Sequence, residues 1–109
     1  GRWQPLYAEF DGEEAPAEVL QQTEFELNAG EYTVRFGGVA ADQGTFEIGP
    51  AGLTLRGTAG PNAGRVIPCL HKFIDDTLMV CFGLSGVRPE HYRTVPGGQL
   101  YLVTYQRKK

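Results

Sequence analysis

Cysteine is scarce in this chain, two in 109 residues. That excludes a small scaffold stapled by disulfides in place of a core. Long apolar runs are missing too: none approaches the roughly 18 residues that a helix needs to cross a bilayer. There is no basic excess. Ten Lys and Arg stand against thirteen Asp and Glu, for a formal charge of −3, so electrostatics offers no reason to expect nucleic acid as a partner. Serine is nearly absent, Ser85 being the sole one. Gly83-Leu84-Ser85-Gly86-Val87 falls one residue short of a nucleophile elbow and lacks its strand-to-helix setting. No Cys-x-x-Cys and no His-Glu-x-x-His occurs.

Glycine, by contrast, is abundant: fifteen Gly with seven Pro, scattered as punctuation between short apolar runs. An apolar fraction of 41% is ordinary for a folded domain and argues against wholesale disorder. The length suits one domain spanning residues 1–109. Charge is uneven. Residues 1–31 hold eight acidic groups and one basic group, Arg2, whereas the remainder holds nine basic and five acidic groups. Either early acidic strands pair with basic ones laid beside them, or copies of the chain meet head to tail. The opening Gly1-Arg2-Trp3 would suit a chain trimmed of a leader.

The dominant period is two. Phe25 and Leu27 alternate with Glu24 and Glu26; Tyr32, Val34 and Phe36 with Thr33 and Arg35; Leu78, Val80 and Phe82 with Met79 and Cys81. Such runs are half-buried antiparallel strands with one wet face. The pattern predicts eight, at about 2–10, 23–28, 31–37, 43–49, 52–57, 65–74, 77–83 and 99–107. Residues 15–22 alone read as helix, with Pro16 suited to the first turn. Sequential hairpins without a long crossover predict an all-β, up-and-down antiparallel barrel of about eight strands, which has no exposed edges.

The remaining chemical motifs have plainer structural readings. Asp75-Asp76 lies between two strands, where Asp favours a turn. Cys69-x-His71 puts two metal-ligand types on one strand face, but a third ligand would have to come from elsewhere. The Gly-rich stretch 57–65 lacks the Lys-Ser/Thr ending of a phosphate loop and reads as a flexible connection. The expectation is therefore of no enzyme, no catalytic residues, no metal and no cofactor.

Taken in order, several pieces resemble the short bacterial lipocalin-like (calycin-type) domain family of planctomycete-type genomes. They are Gly1-x-Trp3, Asp11-Gly12-Glu13 leading to Pro16-x-Glu18, Tyr32-Thr33-Val34, Gly44-Thr45-Phe46, Asp76-Thr77-Leu78-x-x-Cys81-Phe82, Arg88-Pro89 and a closing apolar strand before a basic tail. His71 departs from that pattern, which often has Tyr there. The resemblance implies a lipocalin-like barrel and export to the periplasm or cell surface, without naming a ligand. It also implies a late Arg laid over the first-strand Trp, with Arg107 the candidate and Arg2 its competitor. Trp3 and Arg107 lie on the two segments that must form the closing seam.

Inward-facing Phe25, Tyr32, Phe36, Phe46, Phe73 and Phe82 would give the barrel an aromatic wall, with His71, Tyr101 and Tyr105 adding polar groups. That is the composition of a small-molecule site, although small barrels also fill their interiors with side chains. Two functions follow. One is a non-enzymatic binding domain holding a small apolar or amphipathic ligand. The other is a packed-core protein- or surface-interaction module of an exported bacterial protein. Neither spans a membrane.

Overall fold

The computed structural model describes residues 1–108. Its elements in chain order are β1 (Arg2–Phe10), β2 (Glu13–Glu14), α1 (Ala17–Gln22), β3 (Thr23–Asn28), β4 (Glu31–Phe36), β5 (Val39–Gly49), β6 (Gly52–Ala59), β7 (Val66–Ile74), β8 (Thr77–Gly83) and β9 (Leu100–Arg107). All pairings between these strands are antiparallel. Each of β3 to β8 pairs with its successor, and β1 pairs with both β3 and β9, so eight strands close into a barrel. β2 adds a two-residue fringe outside it. The expected strands are present; β5 starts four residues earlier than its alternation suggested. There the register slips between Val34 and Arg35 of the partner strand, which breaks the period of two that makes a strand legible.

Alternation decides what lies inside. Phe25, Tyr32, Leu53, Leu55, Ile67, Leu78, Val80 and Val103 form the core. β1 satisfies both neighbours by a bulge at Leu6, between Pro5 and Tyr7. Trp3 and Pro5 are buried before it and Ala8 after it, while Leu6 is turned out to solvent. β1 and β3 share only two residue pairs, Arg2–Glu26 and Trp3–Phe25. α1 sits where they diverge: Leu20 joins the core, and the Gln4 side-chain amide donates to its carbonyl at 2.6 Å. A six-residue helix is too short to be stable alone; this one is held by the wall it completes. Among the described residues, no helix is long and apolar enough to cross a membrane.

The two ends of the barrel differ. One carries the turns at residues 29–30, 50–51 and 75–76 and the first residues of β1. The other carries the 37–38 turn, the 60–65 loop and residues 84–99. That last segment is a strap folded back over the outer face of β8 and β9. Gly12 N–H donates to the Thr94 hydroxyl at 2.8 Å, and Thr94 in turn donates to the Glu9 carboxylate. Cys81, fully buried, lies beneath this strap, with its sulfur 3.9 Å from the Arg93 carbonyl.

The strap also mends the wall. β6 and β7 share only Thr54–Pro68, Leu55–Ile67 and Arg56–Val66, and Pro68 has no N–H to give. Beyond that point the Arg88 guanidinium takes over. Its Nη1 donates to the carbonyls of Leu53 and Cys69 at 2.9 and 2.7 Å, and its Nη2 donates to the Thr54 hydroxyl at 2.7 Å. Gly52 leaves room for it, since a Cβ there would lie 3.2 Å from Nη1.

Candidate functional site

Above Trp3 the interior is not filled. A cavity of about 420 Å³ opens toward the end that bears the 60–65 loop, a size within the roughly 300–1,000 Å³ of small-molecule sites. Its wall is aromatic. Phe25 stacks on Tyr105 with centroids 5.2 Å apart and meets Phe82 edge-on at 6.1 Å. Phe82 stacks on Tyr101 at 5.7 Å. Tyr32 and, at the rim, the half-exposed Phe36 complete the aromatic lining. Val34, Leu55, Ile67 and Leu84 supply aliphatic surface between them.

Six of the nine residues expected to line a pocket thus surround one cavity: Phe25, Tyr32, Phe36, Phe82, Tyr101 and Tyr105. Phe46, His71 and Phe73 lie outside this lining. They share the inward face by register, Phe46 opposite Leu55, His71 opposite Val80 and Phe73 opposite Leu78. Alternation reports the face of a strand but not the height along a barrel axis, and these three belong to the Trp3 end. Phe73 packs against Trp3 at 5.8 Å and is 49% exposed. His71 meets the Phe73 ring at 5.7 Å. Its Nδ1 is buried without a hydrogen-bond partner among the described residues. Burial, then the Arg88 guanidinium, pushes this imidazole below its ordinary value of 6.5.

Trp3 is 2% exposed and pairs with Arg107 across the seam of β1 and β9. The Arg107 guanidinium carbon lies 4.4 Å from the centroid of the indole, within cation–π range, and its Nε is 3.6 Å from Asp76. Arg2 turns the other way, to Glu24 and Glu26 at 3.6 and 3.7 Å.

The polar part of the cavity comes from residues the alternation did not single out. Asp42 on β5 accepts at Oδ2 from the Tyr32 hydroxyl at 3.3 Å and from the Asn62 amide at 2.9 Å. Asn62 belongs to the Gly-rich stretch read as a flexible connection. Here that stretch is internally bonded, with Gly57 N–H to Arg65 O and Gly64 N–H to Gly57 O both at 2.9 Å. Arg65 bridges the mouth, donating to Asn62 Oδ1 at 3.0 Å and to the Leu84 carbonyl. The available signal was the parity of β5, since Asp42 lies two and four residues before Gly44 and Phe46 and pairs with the inward Val34, but the expected strand began at residue 43, one position too late to include it.

Burial raises the phenol pKa values of Tyr101 and Tyr105; for Tyr32 burial and then the Asp42 carboxylate do so. All three hydroxyls are therefore kept as donors. Elsewhere, Ser85 and His91 are exposed in the strap, and Asp75 and Asp76 are exposed in the β7–β8 turn. Cys69 and His71 sit on the inner face of β7, where burial pushes the Cys69 thiol up to about 12. Among the described residues no group of three His, Cys, Asp or Glu side chains is placed to hold a metal ion. No protein-family model, curated protein or solved structure matches this chain.

Proposed function

We propose that this barrel is a non-enzymatic binding domain that takes a small apolar or amphipathic molecule into its interior. The observation that carries the reading is the aromatic cavity of about 420 Å³ above Trp3. Small barrels ordinarily close-pack their interiors, and a dry apolar void loses dispersion contacts on its lining. An apolar guest restores them. The exported setting and lipocalin-like kinship implied by the sequence resemblance agree with a carrier role and stand on that resemblance alone.

A neutral fluorescent probe, N-phenyl-1-naphthylamine, tests the reading. Ala41 lies exposed at the mouth, so Ala41→Trp obstructs the cavity without disturbing the core. Probe affinity is expected to fall at least about tenfold, with an unchanged circular dichroism spectrum. Val95→Trp, in the cleft of about 500 Å³ that the strap's own residues form, should leave probe binding as it was. The reverse pattern would place the probe in the strap. It would favour the interaction-module reading, for which the exposed Val87 and Val95 on the strap are the supporting observation.

A further inference from the structure

The cavity's shape admits an apolar body; its charge distribution selects the head group. This inference rests on the binding reading above. Among the lining residues one side chain is charged, and it is acidic: Asp42. Its Oδ2 receives Tyr32 and Asn62 at 3.3 and 2.9 Å. Its Oδ1 is buried against Gly60, where a Cβ would lie 3.1 Å away, and has no hydrogen-bond partner among the described residues, so the carboxylate borders the cavity with its charge only partly satisfied. The nearest mouth cation, Arg65, directs its guanidinium to Asn62 and the Leu84 carbonyl and is not part of the lining. Aromatic faces carry negative charge density and attract cations placed over them. Tyr32 lies 6.4 Å from Phe25, which stacks on Tyr105, so the aromatic cluster begins beside the carboxylate. Both features favour a cationic head and disfavour an anionic one.

We propose that the ligand class is an organic amine, bound as its ammonium form. The head sits beside the hydrogen-bonded pair of Asp42 and Tyr32, and the apolar body runs along Phe25, Phe82, Tyr101 and Tyr105. A fatty acid or other apolar anion would bring like charge to Asp42, and is the class this wall rejects.

A matched series separates this inference from the cavity reading beneath it. Octylamine, octanol and octanoate are titrated against N-phenyl-1-naphthylamine bound to the wild-type protein and to Asp42→Asn. Octylamine is expected to displace the probe at a concentration about tenfold below octanol, with octanoate weakest. Asp42→Asn should abolish the advantage of octylamine over octanol, read as the ratio of the two within that variant. Should that variant fail to fold, the wild-type protein gives the same answer through salt: the amine's advantage must shrink as ionic strength rises. If octanol or octanoate binds as tightly as octylamine, or the amine's advantage survives in Asp42→Asn, the amine inference is overturned and the cavity stands. If none of the three displaces the probe, the amine inference falls, and the cavity reading is decided by the Ala41→Trp result.

Discussion

At the scale of single residues, the clearest consequence of the sequence is the pair that seals one end. Trp3 carries the largest side chain in the chain and lies where β1 meets β9; Arg107 covers its ring. Trp3→Ala should cost about 3–5 kcal/mol, as large-to-small core substitutions do. Arg107 is half-exposed, so Arg107→Ala should cost less, about 1 kcal/mol, in keeping with a solvent-facing cation–π contact. In urea denaturation the double variant should lose less than the sum of the single losses, because either change alone removes the shared contact. Strict additivity would show that the guanidinium does not stabilise the indole. The seam was readable because it needs only a first strand, a last strand and one outsized side chain. Asp42 was not readable in the same way. A lone acidic residue four positions after a Gly-Gly turn resembles solvent-facing strand chemistry, and it stands one residue before the stretch whose alternation marks β5, although its pairing with Val34 gives it the inward parity of Gly44 and Phe46.

At the scale of elements, two of the eight acidic groups in the first third are paired within the chain. Glu24 faces Lys108, Arg35 and Arg2, and Glu26 faces Arg35 and Arg2. The hydrogen bond from Lys108 holds the Glu24 carboxyl below its ordinary value of 4.5, and the hydrogen bond from Arg35 does the same for Glu26. A carboxyl lowered by folding stabilises the fold above its unfolded value and loses that contribution as pH falls through its folded one. Stability should accordingly decline as pH drops below 4.5, and Glu24→Gln with Glu26→Gln should make that decline shallower. Urea midpoints measured down to about pH 3 check this; an equally steep decline in the variant would assign the acid sensitivity to other groups. Strands were legible because one wet face and one dry face write a period of two. β2 was not: two residues hold no period. The hydrogen bonding of the 57–65 connection was not legible for a related reason. It runs through the backbone, Gly57 N–H to Arg65 O and Gly64 N–H to Gly57 O, and leaves no side-chain pattern.

At the scale of the whole molecule, barrel parity fixes the state of the cysteines. Cys69 is opposite Phe82 on the inner face, whereas Cys81 is opposite Leu70 and Leu102 on the outer face beneath the strap. Two sulfurs on opposite sides of one sheet cannot form a bridge, and both are free. Titration of the unfolded, unreduced protein with Ellman's reagent should find two thiols per chain, and the native protein should react slowly, since both groups are buried. An absence of thiols on unfolding would contradict this parity. The Arg88 contact has a consequence of another kind. A closed ring begins with no raw edge, and the loss of one junction gives it two at once, each a template for pairing with another molecule. The junction between β6 and β7 is a short one, three residue pairs where β1 and β3 have two, and its last link is a guanidinium borrowed from the strap. Arg88→Met, which keeps most of the side chain's bulk, should therefore hasten amide hydrogen exchange along β6 and β7 ahead of β8 and β9, and raise the protein's tendency to self-associate. Seen this way the strap is a fastener, and the ease with which the ring unclasps is set by one side chain that belongs to neither strand it joins.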